Sequence, residues 1–113
     1  MTNAENEAVA IAKALADKKA EDVKVYDVRG ISGLTDFYVV ATGAAAPHLK
    51  ALAGEIDAVS RERGTGKGRV SGEPESGWIV VDKIDVVVHV FSPEARAYYA
   101  LEKLWAAAPQ IAL

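Results

Sequence analysis

WIVVDKIDVVVHVF, Trp78 to Phe91, decides how this chain folds. Valine-rich runs flank Asp82 and Asp85, and His89 follows within the second run. Strand side chains alternate between the two faces of a sheet, which divides the stretch into two sets. Ile79, Val81, Val86, Val88 and Val90 share one face, which is wholly aliphatic and must be core. Trp78, Val80, Asp82, Asp85, Val87, His89 and Phe91 share the other, and any function of the hairpin lies there. With Lys83 and Ile84 as a two-residue tip, Asp82 faces Asp85, Val80 faces Val87 and Trp78 faces His89. Lys-Ile suits a tight primed turn poorly, because such turns want Asn or Gly at positive φ. A type I turn starting at Asp82 tolerates it better.

Two acids and a histidine suggest a metal, but the spacing argues against one. His89 lies about 13 Å along the strand from Asp85, too far for both to reach a bond of about 2 Å. His48 stands far away in the sequence. An imidazole packed against Trp78 is the expected role of His89. Other chemistry is no better supported. GTGKG (Gly64–Gly68) lacks the phosphate-loop pattern, since Arg61 and Gly68 stand where a glycine and a hydroxyl are needed. No D-x-D pair of metal-binding carboxylates occurs. Ser32, Thr35, Thr42 and Ser92 have no histidine–acid partners at readable spacing. The sequence points to no enzyme and no cofactor.

Outward from the hairpin, the rest of the order follows. Ala8, Ile11, Ala12 and Leu15 recur at helical spacing and predict a helix over 4–18. Strands are expected over 23–28 and 36–42, joined by the glycine-bearing loop RGISGLT. Pro47 marks a helix start, and Leu49, Leu52, Ala53, Ile56 and Val59 form the stripe of a helix over 48–63. Gly64–Gly77 reads as a long loop with one short strand near 69–71. After the hairpin, Ser92, Pro93 and Glu94 form a helix start. Tyr98, Leu101, Leu104 and Trp105 continue at helical spacing until Pro109 ends the run. The fold class is α/β: a single domain over 1–113, a mixed β-sheet sandwiched by helices.

Composition sets the bounds. The chain has 113 residues, half of them apolar, which suits one packed core. The net charge of −3 is not that of a general nucleic-acid binder. Arg61, Arg63, Lys67 and Arg69 form a basic group that reads as a solvated patch and could touch a phosphate backbone. Without cysteine, signal-like start or long apolar run, a cytoplasmic protein with no membrane span is expected.

Four segments together carry a resemblance: DVRGISGLTDFYVVATG, PHLKALAGEID, W-I-V-V-D-x-x-D-V-V-V-H-V-F and R-x-Y-Y-x-L-E-x-L-W. In this order and spacing, from about Asp22 to Trp105, the chain resembles the ribosomal silencing factor (Iojap-like) family. The resemblance implies a nucleotidyltransferase-like α/β fold without the catalytic site. It implies binding to the large ribosomal subunit through the fourteenth large-subunit protein, at the intersubunit face. Joining of the small subunit is then blocked, and translation falls when nutrients are scarce. It also implies a homodimer. The partner surface it implies involves Trp78, Asp82, Lys83, Ile84 and Asp85, with a minor contact to ribosomal RNA through the basic group. Two departures stand out. Family members usually carry an aromatic and then a small residue where Lys83 and Ile84 stand. The Ala44–Pro47 stretch lacks the usual serine cap, a loss of about 1 kcal/mol.

Overall fold

The computed structural model describes residues 2–31 and 33–113. Ser32, one of the hydroxyls weighed above, lies outside them. Thr2 opens the first helix by accepting a hydrogen bond from the Glu5 amide at 3.0 Å. The elements run α1 (Asn3–Asp17), β1 (Glu21–Asp27), β2 (Phe37–Thr42), α2 (Ala46–Arg63) and β3 (Arg69–Glu73). They continue as β4 (Trp78–Asp82), β5 (Val86–Phe91), α3 (Pro93–Tyr99) and β6 (Gln110–Ile111), with 3-10 turns at Pro74–Ser76 and Leu101–Trp105. The strands form one sheet in the order β3-β4-β5-β2-β1-β6. Neighbours are antiparallel except β2 and β5, so the sheet is mixed, as the sequence predicts.

The aliphatic set of the hairpin is core. Ile79, Val81, Val86, Val88 and Val90 are buried beneath α1 and α2, against Ile11, Leu15, Leu49, Leu52 and Ile56. Helix α2 reaches the end of β2 closely. A Cβ on Gly43 would lie 2.8 Å from Leu49 Cδ2, so any side chain there would push Leu49 aside. Ala45 caps α2 with no side-chain bond, matching the missing serine.

The opposite face carries a second cluster in which Tyr26, Val28, Val40, Phe91, Ala95 and Trp105 are buried. Here the structure departs from the sequence reading. The helix expected to run on to Trp105 stops at Tyr99, and Ala100 turns left-handed at φ 46°. The reason is geometric. Arg96 Nε donates to Glu102 Oε1 at 2.8 Å and Nη2 to Oε2 at 3.1 Å, although residues six apart point away from each other on a helix. The break lets them meet. It also lays Trp105 on Tyr38, with ring centroids 4.0 Å apart. Tyr98 and Leu104, which share the helical spacing, are 82% and 72% exposed.

Two further corrections concern pairing. Val80 faces His89 and Asp82 faces Val87, so the hairpin register is shifted by two residues from the expected one, with Lys83 to Asp85 between the strands. A shift of two preserves parity, and each side chain keeps its assigned face. The short strand expected near 69–71 is present and runs two residues further, as Arg69–Glu73. β3 pairs with β4 as the sheet's edge, with Gly72 at φ 84° where a Cβ would strike the Trp78 carbonyl oxygen. Finally, β6 follows Pro109 and pairs with Val25 and Tyr26 of β1, a strand too short for any sequence pattern.

Ala100→Gly should raise stability by up to about 1 kcal/mol, since glycine holds positive φ without a Cβ penalty. Urea unfolding would measure it. A loss of stability would show that the turn at Ala100 depends on its methyl group.

Candidate macromolecular interface

The β4–β5 connection is built from its own backbone bonds. The Lys83 amide donates to the Val86 carbonyl at 2.8 Å, and the Asp85 amide to the Lys83 carbonyl at 2.9 Å. Asp82 Oδ1 accepts from the Ile84 amide at 2.8 Å, the local bond that makes Asp a turn former. Ile84 sits at φ 74°, a left-handed conformation costly for a β-branched residue. It is also 77% exposed. An exposed aliphatic side chain in a strained backbone gains nothing from burial, which directs attention to this tip.

The sequence-predicted residues divide three ways. Asp82, Ile84 and Asp85 are exposed together at the tip. Trp78 is at the other end of β4, about 13 Å along the strand from Asp82 and on the same face. It is half-buried, stacked on Phe91 at 5.2 Å and tilted against Tyr99 at 4.6 Å. Val80 lies between Trp78 and Asp82, and with Tyr99, Ser71 and Gly72 it lines a shallow groove of about 270 Å³. Lys83 points the other way. Its side chain is only 2% exposed, with Nζ 3.6 Å from Glu7 Oε2 on α1.

The basic group flanks the tip. Lys67 and Arg69 line a depression of about 370 Å³ with Thr65, Asp82, Lys83 and Ile84. Arg69 is the direct cross-strand neighbour of Asp82. Arg61 pairs with Asp57 at 3.5 Å one helical turn back, and Arg63 is exposed.

His89 is packed as expected. The Trp78 indole N–H donates to its Nδ1 at 3.1 Å, and the Tyr38 and Trp105 rings lie 5.5 Å and 5.8 Å away. Burial pushes its pKa down to about 4, so the ring is neutral near pH 7. His48 is committed elsewhere, accepting from the Ala44 amide at 3.0 Å and donating to the Lys18 carbonyl at 2.7 Å. No three candidate ligands converge among the described residues. Nor is any described helix long and apolar enough to cross a membrane.

This geometry has counterparts. A family model described as "Ribosomal silencing factor during starvation" matches residues 1–113. The chain belongs to the ribosomal silencing factor family. Two curated members are each 42% identical to it. The one from Halalkalibacterium halodurans aligns over 88% of this chain and 86% of its own length. The one from Bacillus subtilis aligns over 87% and 83%. A crystal structure of a Chromobacterium violaceum protein superposes with a TM-score of 0.86 at 34% identity, covering 93% of this chain and 88% of its own. The fold is therefore shared over 93% of this chain.

Two features escaped the sequence reading. Glu7 had a signal: it lies four residues before Ile11, in phase with the buried stripe of α1. Tyr98 and Tyr99 at the surface had none, because the break at Ala100 goes with contacts of Arg96, to Glu102, Asp22 and Thr42, that helical spacing does not encode.

His89 makes stability pH-dependent. Its depressed pKa means that the unfolded chain takes up a proton between about pH 6.5 and 4 while the folded chain resists. This contribution is complete above about pH 6.5 and is lost as pH falls toward 4. Urea unfolding at pH 7.5 and pH 5 should differ by about 2 kcal/mol more in the native chain than in His89→Asn. Equal pH dependence in both would remove His89 as the cause.

Proposed function

We propose that this chain is a noncatalytic ribosomal silencing factor. It binds the large ribosomal subunit through the exposed hairpin end and blocks joining of the small subunit. The family supports the coarser part of this reading, a ribosome-associated role in silencing translation. One observation supports the site: Asp82, Ile84 and Asp85 project together at the end of a partly open apolar strip made by Trp78, Val80 and Tyr99. Acids beside an apolar anchor suit a basic protein partner, because the charges speed encounter and the apolar contact slows release. The proposed partner is the fourteenth protein of the large subunit. Arg61, Arg63, Lys67 and Arg69 would sit beside it, where ribosomal RNA phosphates could meet them. Occlusion needs area rather than turnover, about 1,600 Å² in total for a standard interface. A cytoplasmic location and a homodimer belong to the same proposal, the latter checked by sedimentation equilibrium.

Asp85→Lys should weaken cosedimentation with isolated large subunits about tenfold or more, with unfolding unchanged. Small subunits should not bind at all. Ile84→Gly is the sharper test. It should stabilise the chain by about 1 kcal/mol through relief of the left-handed strain, yet lower affinity for the large subunit. If both variants bind as the native chain does, another surface meets the ribosome.

A further inference from the structure

The tip is held from inside by a charge pair that the fold alone does not require. Glu7 occupies a core-facing position of α1, with its side chain 10% exposed, and Lys83 reaches it from the hairpin connection with 2% exposure. The Lys83 ammonium also donates to the Gly66 carbonyl, in the loop after α2. Three segments far apart in sequence thus converge on one ammonium. The geometry points to Glu7 and Lys83 as an internal latch that fixes the β4–β5 tip in its binding conformation. Lys83 is then a positioning residue, and its ammonium does not meet the partner. This rests on the reading that the tip contacts the large subunit.

Two independent observations support the latch. First, a buried ion pair is a poor way to gain stability, since an apolar pair of similar volume often serves as well, but it specifies one arrangement. The arrangement here is incomplete as a hydrogen-bonded pair, because Glu7 Oε2 is buried without a hydrogen-bond donor. Second, Ile84 follows Lys83 directly and holds φ 74° while 77% exposed. Such a conformation persists only where its surroundings over-determine it. With Lys83 drawn inward and the Ile84 amide held by Asp82, the next side chain is directed out to solvent.

Amide exchange on the free protein and cosedimentation with purified large subunits test this together. Lys83→Met alone strands a buried carboxylate, so Glu7→Leu/Lys83→Met is the variant that keeps an apolar, foldable interior. Glu7→Gln is the milder one. The expected result is that both speed exchange at the Ile84 and Asp85 amides and lower affinity about tenfold in the double variant, with melting temperature nearly kept. Glu7 never reaches the partner in this scheme, so its effect on affinity is one that a direct Lys83 contact would not produce. Native exchange rates in both variants would overturn the latch. So would an affinity lost in Glu7→Leu/Lys83→Met but kept in Glu7→Gln, which would make Lys83 a direct contact. If the native chain fails to bind the large subunit, the ribosome reading fails separately, and the exchange rates still decide whether the latch exists.

Discussion

The parallel pairing of β2 with β5 carries the rest of the molecule. Phe37 to Thr42 run beside Val86 to Phe91 in unbroken register at the middle of the sheet. Nearly every residue of both strands is buried. Parallel neighbours cannot be joined by a tight turn, so the chain must leave the sheet and return. It does so through α2, β3 and β4, which places the hairpin on the far side of β5. The Asp85 carbonyl accepts from the Asp36 and Phe37 amides at 3.1 Å each, so the last residue of the tip is also where the central pairing begins. The exposed acids are therefore anchored to the most buried part of the fold.

What the sequence disclosed, and what it withheld, divides along physical lines. Alternation and helical spacing are local, and they located α1, α2, β2, β4 and β5 to within two residues at each end. Parity assigned the hairpin's faces correctly even though its register slipped, because a two-residue slip leaves alternation intact. The end of α3 was illegible because its cause is not local. Arg96 satisfies Glu102, the Asp22 carbonyl at 2.7 Å and Thr42 Oγ1 at 2.8 Å, and no helical pattern encodes three partners on other segments. Of the residues that the resemblance implied for a partner surface, Asp82, Ile84 and Asp85 are exposed together. The inward turn of Lys83 was not legible, since its partner Glu7 lies 76 positions earlier.

Charge in this protein is handled in two ways on the two sides of the sheet. On the side beneath α3, the Glu102 carboxylate is partnered at both oxygens. Glu102 accepts from Arg96 and from the Tyr26 hydroxyl at 2.8 Å, and the Arg96 guanidinium holds its carboxyl below the usual range. His89 on the same side is kept neutral by burial. On the side beneath α1, the Lys83 ammonium and Glu7 carboxylate meet at 3.6 Å with little solvent to share. The first arrangement closes a face, whereas the second reaches the edge of the molecule that the proposed partner would meet.

The position of Trp105 has a consequence for how the protein is made. Its ring covers Tyr26 and Tyr38, and β6 beyond it pairs with β1, so residues near the start of the sheet wait for those synthesised much later. Chains emerge from the ribosome N-terminal end first. β1 and β2 can form a hairpin early, but β2 has no parallel neighbour until β5 emerges, and the aromatic face stays open longer still. A nascent chain of this sequence therefore leaves the rings of Tyr26 and Tyr38 uncovered until the segment carrying Trp105 closes over them.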